Sequence, residues 1–336
     1  MLPVGQSDLA AAMGLRSQNA RVKAALGITG KELSTGLKGD LVKATGGDLG
    51  RLFSIERTLS TLITAGDALN VANGKSSLMQ LSLGHIGDAL TDYGPELLSA
   101  VNRGDQQSMI LMSGDARHKL EAAVTALNAR YGRHNVFSGA AVDLPAVAPA
   151  ADILSDVSAI VAGAANAAAA LTAIDTYFFA PGGGFETNIY LGAPQDGPSL
   201  RDENGSEISY AVRADATGIR ESLRALAIAA AVAETPALIG TPDQVTLLRE
   251  AANASISATG SIIGIREKLG FAEGALANAT ARNTAKSGAF ELERSSIVAA
   301  DPYESATMFE ALQGQLATVY TVTAKLSNLS LINFLR

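Results

Sequence analysis

The last stretch of the chain constrains its fold most. Phe309, Leu312, Leu316, Val319 and Leu326 recur at steps of three and four residues or their multiples, and Leu329, Leu331, Ile332, Phe334 and Leu335 carry the apolar run onward. Positions 309, 312, 316, 319, 323, 326, 330 and 333 share one face of an α-helix, at the spacing of a coiled-coil seam. The first stretch carries a thinner stripe of the same kind, made of Leu9, Met13, Val22, Leu26 and Leu33. A chain end frays in water and gains nothing from being apolar. Both stripes are therefore expected to need a partner, either the other end of the chain or another subunit, and their residues are the candidate assembly interface.

The rest of the composition agrees with helix packing. The chain has 336 residues, of which 47% are hydrophobic but only 5% aromatic, with no Trp. Ala and Leu supply most of the apolar content and suit helix–helix contacts better than a bulky core. A length of this order leaves room for two or more domains. A net charge of −7 and a pI of about 5.1 argue against a general nucleic-acid binder, which needs a clustered basic surface. Without Cys there is no disulfide framework and no thiolate chemistry. That fits the cytosol and equally an exported protein that bypasses disulfide-forming compartments. The opening MLPVGQSDLAAAMGL has no charged n-region, and Gln6, Ser7 and Asp8 break its apolar run, so it does not read as a cleaved signal peptide. No window approaches the roughly 18–20 apolar residues of a membrane span, and no membrane insertion is expected.

Breaks in the pattern divide the chain into an assembly helix (1–45), the first half of a helical rod (46–140), a variable insert (141–242), the returning half of the rod (243–298) and a last assembly helix (299–336). Helices are expected over 7–38, 48–92, 96–131, 150–179, 217–234 and 243–298, with Asp48 and then Asp301-Pro302 opening helices and Gly132 closing one. Thr187–Leu191 and Ile208–Val212 read as short strands around a loop with the Asn204-Gly205 turn signal. The expected class is mainly α, a long antiparallel bundle of the two outer segments with a small mixed α/β insert.

Catalytic and ligand motifs are weak. His85, His118 and His134 are the only histidines, and none pairs with another at metal-ligand spacing. Asn73-Gly74-Lys75-Ser76-Ser77 imitates the end of a phosphate-binding loop. However, Leu69 stands where the first glycine is needed, and the context is helical. No G-x-S-x-G occurs. No enzyme activity, metal or cofactor is expected.

Particular residues add a resemblance. Lys31-Glu32-Leu33-Ser34-Thr35-Gly36, Phe137-Ser138-Gly139, Ile265-Arg266-Glu267-Lys268-Leu269-Gly270 and the tail from Asp301 to Arg336 stand in the order and spacing of motifs of the flagellin superfamily. They are most similar to its hook–filament junction members. The similarity covers roughly 20–140 and 245–336. The segment after Gly36 lacks the family's P-S-D-D-P-type sequence, and the tail lacks the A-N-Q stretch usual in flagellins. The resemblance implies an extracellular flagellar protein, exported through a dedicated apparatus with the help of an export chaperone. It implies a ring or tubular homo-oligomer that contacts a neighbouring hook-associated protein and flagellin. The first and last helices would gain their order as subunits join. Two other readings remain at this point: a flagellin that forms the filament itself, and a secreted helical effector or translocator.

Overall fold

Long Ala- and Leu-rich runs punctuated by glycine and proline set the element order. The computed structural model describes the backbone of residues 4–201 and 205–334, and the side chains of residues 10, 13–201 and 205–325. The helices are α1 (Val4–Thr35), α2 (Leu41–Ala44), α3 (Gly50–Thr91), α4 (Tyr93–Arg103), α5 (Gln106–Leu127), α6 (Ala150–Gly163), α7 (Ala167–Phe179), α8 (Thr217–Ala233), α9 (Pro242–Val298) and α10 (Pro302–Phe334). Strands β1 (Arg130–Tyr131) and β2 (His134–Asn135) form one antiparallel hairpin, and β3 (Leu200–Arg201) and β4 (Glu207–Ile208) another. With 76% helix the protein is mainly α, as its composition implies.

Caps explain most boundaries, and several differ from the expected ones. The run expected as one helix over 96–131 is two. Gly104 closes α4 in the left-handed region at φ +66°. Asp105 then opens α5 by accepting the Ser108 amide at 3.1 Å, a capping pattern that a periodicity count overlooks. Gly132 closes no helix; at φ +62° it lies in the turn between β1 and β2. The run over 150–179 also divides, because Asn166 takes extended backbone and caps α7 through the Ala169 amide at 2.9 Å. Asp48 accepts the Gly50 amide from one position further out than a cap. Asp301 does cap α10, accepting from Tyr303 and Glu304 at 2.8 and 3.2 Å.

The expected strand at Thr187–Leu191 is instead a π-helical turn over Phe185–Ile189. Phe185 and Ile189 are both fully buried while Thr187 between them is exposed. A strand would put all three on one face, whereas a helical turn puts only the outer two there.

Two compact units emerge, Met1–Thr64 with Thr284–Arg336, and Ala65–Asn283. The second holds a contiguous core running from Leu69 through Leu120, Phe178 and Leu226 to Ala279. At its centre α8 is buried from Ile219 to Val232 apart from partly covered Arg220 and Glu221; being apolar almost all round, it must be enclosed. It packs on α5, α6 and α7. Arg224, almost wholly buried, donates from Nε to Asp175 of α7 at 2.5 Å and from Nη2 to Glu250 of α9 at 3.1 Å. Along the α3–α9 contact, Gly84 and Gly87 face Arg266 and Ile262, and Gln80 donates to the Arg266 carbonyl at 2.8 Å.

Candidate assembly interface

The unit formed by Met1–Thr64 and Thr284–Arg336 holds the candidate interface. Here α1 packs along α10. Phe309 lies over Gly30, where an added Cβ would sit 3.3 Å from the ring, and the Lys23 ammonium lies 5.5 Å from the centre of the Tyr320 ring. These two contacts fix an antiparallel register. The seam of α1 is Leu15, Asn19, Val22, Leu26 and Thr29; that of α10 is Ser305, Phe309, Leu312, Leu316 and Val319. Both follow heptad steps, but among the described residues only Val22, Thr29, Ser305 and Val319 of the seam are buried.

The structure thus brings together six of the candidate residues: Val22, Leu26, Phe309, Leu312, Leu316 and Val319. Met13 and Leu33 do not join them, being 61% and 45% exposed. Leu9, Leu326, Leu329, Leu331, Ile332 and Phe334 stand on described backbone but their side chains, like all of Leu335, lie outside the described residues. Leu15, Asn19, Thr29 and Ser305 were not legible as seam members, since polar residues at three of these positions interrupt the stripe. The heptad extension 15, 19, 22, 26, 29 was the available signal.

The helices are tied at one end by a backbone clasp. Lys31-Glu32-Leu33-Ser34-Thr35-Gly36 is a helix stop. The Ser34 and Thr35 hydroxyls both donate to the Lys31 carbonyl, and Gly36 adopts φ +69°. The Glu32 carboxylate then accepts the Gly39 amide at 2.8 Å. The chain so turned pairs with the end of α9. Lys38 N–H donates to the Val298 carbonyl at 2.8 Å, Ala300 N–H to Gly36 at 2.9 Å, and Lys38 Nζ to Ile297 at 3.0 Å. The exposed ion pair Arg51–Glu293 at 2.7 Å adds little, as surface pairs do.

Phe137-Ser138-Gly139 is also structural, within the unit Ala65–Asn283. Phe137 is fully buried, and its carbonyl accepts from Ala214 at 2.9 Å. The Ser138 carbonyl accepts from Ala193 at 3.0 Å. Gly139 sits at φ +62°, where a Cβ would come within 2.5 Å of the Gln195 carbonyl and 2.7 Å of Ala193's. The three residues stitch the segment after β2 onto the loop before β3 and, through Phe137, onto the segment between β4 and α8.

The histidines and the phosphate-loop mimic have packing or surface positions. His85, His118 and His134 are all exposed. Asn73 and Ser76 of the phosphate-loop mimic bond Thr280 and Glu273 across to α9, both at 3.2 Å. Among the described residues no three His, Cys, Asp or Glu lie close enough to hold a metal, and no helix is long and apolar enough to cross a membrane. A cleft of about 270 Å³ is lined by Tyr210, Arg213, Ile265 and Lys268 among others. Its guanidinium is already committed to Asp196 and Asp215 at 2.8 Å each. Burial pushes the Tyr190 hydroxyl up to about 12 and raises those of Tyr93 and Tyr177 further. All three stay neutral and act as hydrogen-bond donors, to Ala193, Met112 and Asp156 respectively.

No protein-family model matches this chain, and no curated protein matches it. Among solved structures, a protein from Vibrio parahaemolyticus described as flagellar hook-associated is similar over 71% of this chain and 95% of its own length, at 13% identity and a TM-score of 0.40. A likeness of that degree carries neither a family nor a function for this chain.

Proposed function

We propose that the chain is a structural subunit of the bacterial flagellum, acting as the adaptor that joins hook to filament, hook-associated protein 3. It is a non-enzymatic protein that reaches the cell exterior through the flagellar export apparatus, with an export chaperone. There it forms a ring or short tube between a neighbouring hook-associated protein and flagellin. One observation carries this reading: α1 and α10 close on each other along a heptad seam while apolar residues such as Met13, Ile28, Leu33, Tyr303 and Met308 stay exposed.

Magnitudes favour assembly. Ordering a residue costs about 1–2 kcal/mol, and burying a valine or leucine returns only about 1.5–3 kcal/mol. Among the described residues the seam has four buried members, only two of them valines, and these leave the helix pair marginal. Covering the exposed apolar residues with neighbouring copies would stabilise it in the polymer. The four sequence motifs support the flagellar assignment. Phe137-Ser138-Gly139 and the tail without an A-N-Q stretch favour a junction member over a flagellin.

Deletion of the gene, read by electron microscopy of the cells and analysis of the spent medium, tests this. Bare hooks with unpolymerised flagellin in the medium are expected. Bare hooks without secreted flagellin would make the chain the filament subunit. Intact filaments would overturn a flagellar role and favour the effector. Truncation after Asn328 is expected to abolish assembly while the unit Ala65–Asn283 stays folded, and normal incorporation of that truncate would refute the role given to α10.

A further inference from the structure

We propose that the cleft between α9 and the run that follows β4 binds an extended peptide carrying an apolar residue and, two positions further on, an acidic one. The run is a strand that has lost its ladder. β3 and β4 pair Leu200 with Ile208 and Arg201 with Glu207, and the same register sets Pro198 opposite Tyr210 and Gly197 opposite Ala211. Pro198 has no N–H to give, so pairing stops there. The run nevertheless keeps its place, since a Cβ added at Gly197 would lie 3.4 Å from that of Ala211. Among the described residues, the main-chain N–H and C=O groups of Tyr210, Ala211 and Val212 have no hydrogen-bond partner. In a strand, alternate residues turn both groups to the same edge. Unpaired edge groups of this kind are a template for another extended chain.

The remaining walls say which chain fits. Ile265, Lys268 and Leu269 of α9 share one helical face and line the cleft opposite the run. Leu269 is buried, and Ile265 is held from behind by α8, where a Cβ added at Gly218 would lie 3.2 Å from its Cδ1. These two make a fixed apolar floor. The charges at the rim are spent except one. Arg213 binds Asp196 and Asp215 at 2.8 Å each and also donates to the Pro194 carbonyl. Lys268 is exposed and has no partner among the described residues, so the cleft presents one free positive charge. Residues two apart on a strand point the same way, which brings an apolar side chain to the floor and an acidic one to Lys268 together. At about 270 Å³ the cleft falls below the roughly 300–1,000 Å³ of ordinary small-molecule pockets. The inference goes beyond the function proposed above and uses no residue of α1 or α10.

The probe is a labelled, end-blocked pentapeptide of threonine, leucine, threonine, aspartate and threonine, added to the full chain and followed by fluorescence anisotropy. Saturable binding is expected in the millimolar range or tighter. The peptide with lysine in place of aspartate should bind about fivefold more weakly. K268E should invert that preference, and its thermal unfolding should match the wild type because the side chain is exposed. The peptide methylated on every backbone nitrogen, tested on the wild type alone, should lose binding, because the main-chain bonds are then gone. Phenylacetate, which has the apolar group and the carboxylate but no main chain, should not displace the peptide. Absence of saturable binding would overturn the proposal, as would a preference for aspartate that survives K268E. Equal binding of the methylated peptide together with displacement by phenylacetate would instead make the cleft a site for small acids, and would refute the strand.

Discussion

The two units bury their apolar residues differently. Ala65–Asn283 encloses Leu83, Leu97, Leu120, Phe137, Phe178, Leu226 and many others around α8. In the unit Met1–Thr64 with Thr284–Arg336, the buried hydrophobic residues among those described are Val22, Leu52, Ile55, Val298 and Val319. That unit nevertheless exposes Met13, Ile28, Leu33, Phe53, Leu292, Tyr303 and Met308. A layered core can satisfy itself within one chain. A two-helix seam cannot, because each helix turns only one stripe towards its neighbour and leaves its remaining sides in water. The difference teaches where stability and association reside, and it can be attacked directly.

The largest effect should come from Leu120→Ala. Its side chain is fully buried, and removing such a group costs about 2–5 kcal/mol. The main cooperative unfolding transition, followed by circular dichroism in urea, should shift accordingly. An unchanged midpoint would mean that this core is not what holds the unit together. Next comes Gly139→Ala, at about 2 kcal/mol or more. The left-handed φ and the nearby carbonyls of Ala193 and Gln195 both oppose a Cβ. If its calorimetric transition matches the wild type, the stitch between the two loops is dispensable.

Val22→Ala sharpens the contrast, because Val22 is as well buried as many core residues. The expected loss is about 1 kcal/mol, and hydrogen exchange should show it in α1 and α10 alone, with the Leu120 transition unmoved. A coupled shift of both would show one cooperative unit instead of two. The smallest effect is Ser138→Ala. The hydroxyl is buried and has no hydrogen-bond partner among the described residues, so its removal should change stability by less than about 0.5 kcal/mol, towards greater stability if anything. Loss of assembly by this variant without loss of stability would assign the hydroxyl a role in partner contact.

Periodicity and punctuation made much of the fold legible. Heptad steps marked α3, α9 and α10. Gly36 and Asp301 marked real ends because their reasons are local, a left-handed residue and a side-chain cap. Elements that depend on distant partners were misread. Phe185–Ile189 has a composition suited to strand, yet it curls because Phe185 packs 5.7 Å from Phe178 and under the Arg220 guanidinium at 5.1 Å. Arg224 looked like an ordinary helix residue until Asp175 and Glu250 closed on it from two other helices. In the candidate interface, the apolar stripe identified Val22, Leu26, Phe309, Leu312, Leu316 and Val319. It could not separate them from Met13 and Leu33, since stripe membership says nothing of where the neighbouring helix ends its contact.

The sequence by itself determined the helical class, the main breaks and the apolar stripes, because propensity, capping and periodicity act within a few residues. Only the tertiary structure decided which stripe meets which. It placed α8 at the centre of a core, closed α1 on α10 within one chain, and left a cleft between α9 and the run that follows β4. Those outcomes depend on contacts between residues hundreds of positions apart, and their energies come from burial that no local window contains.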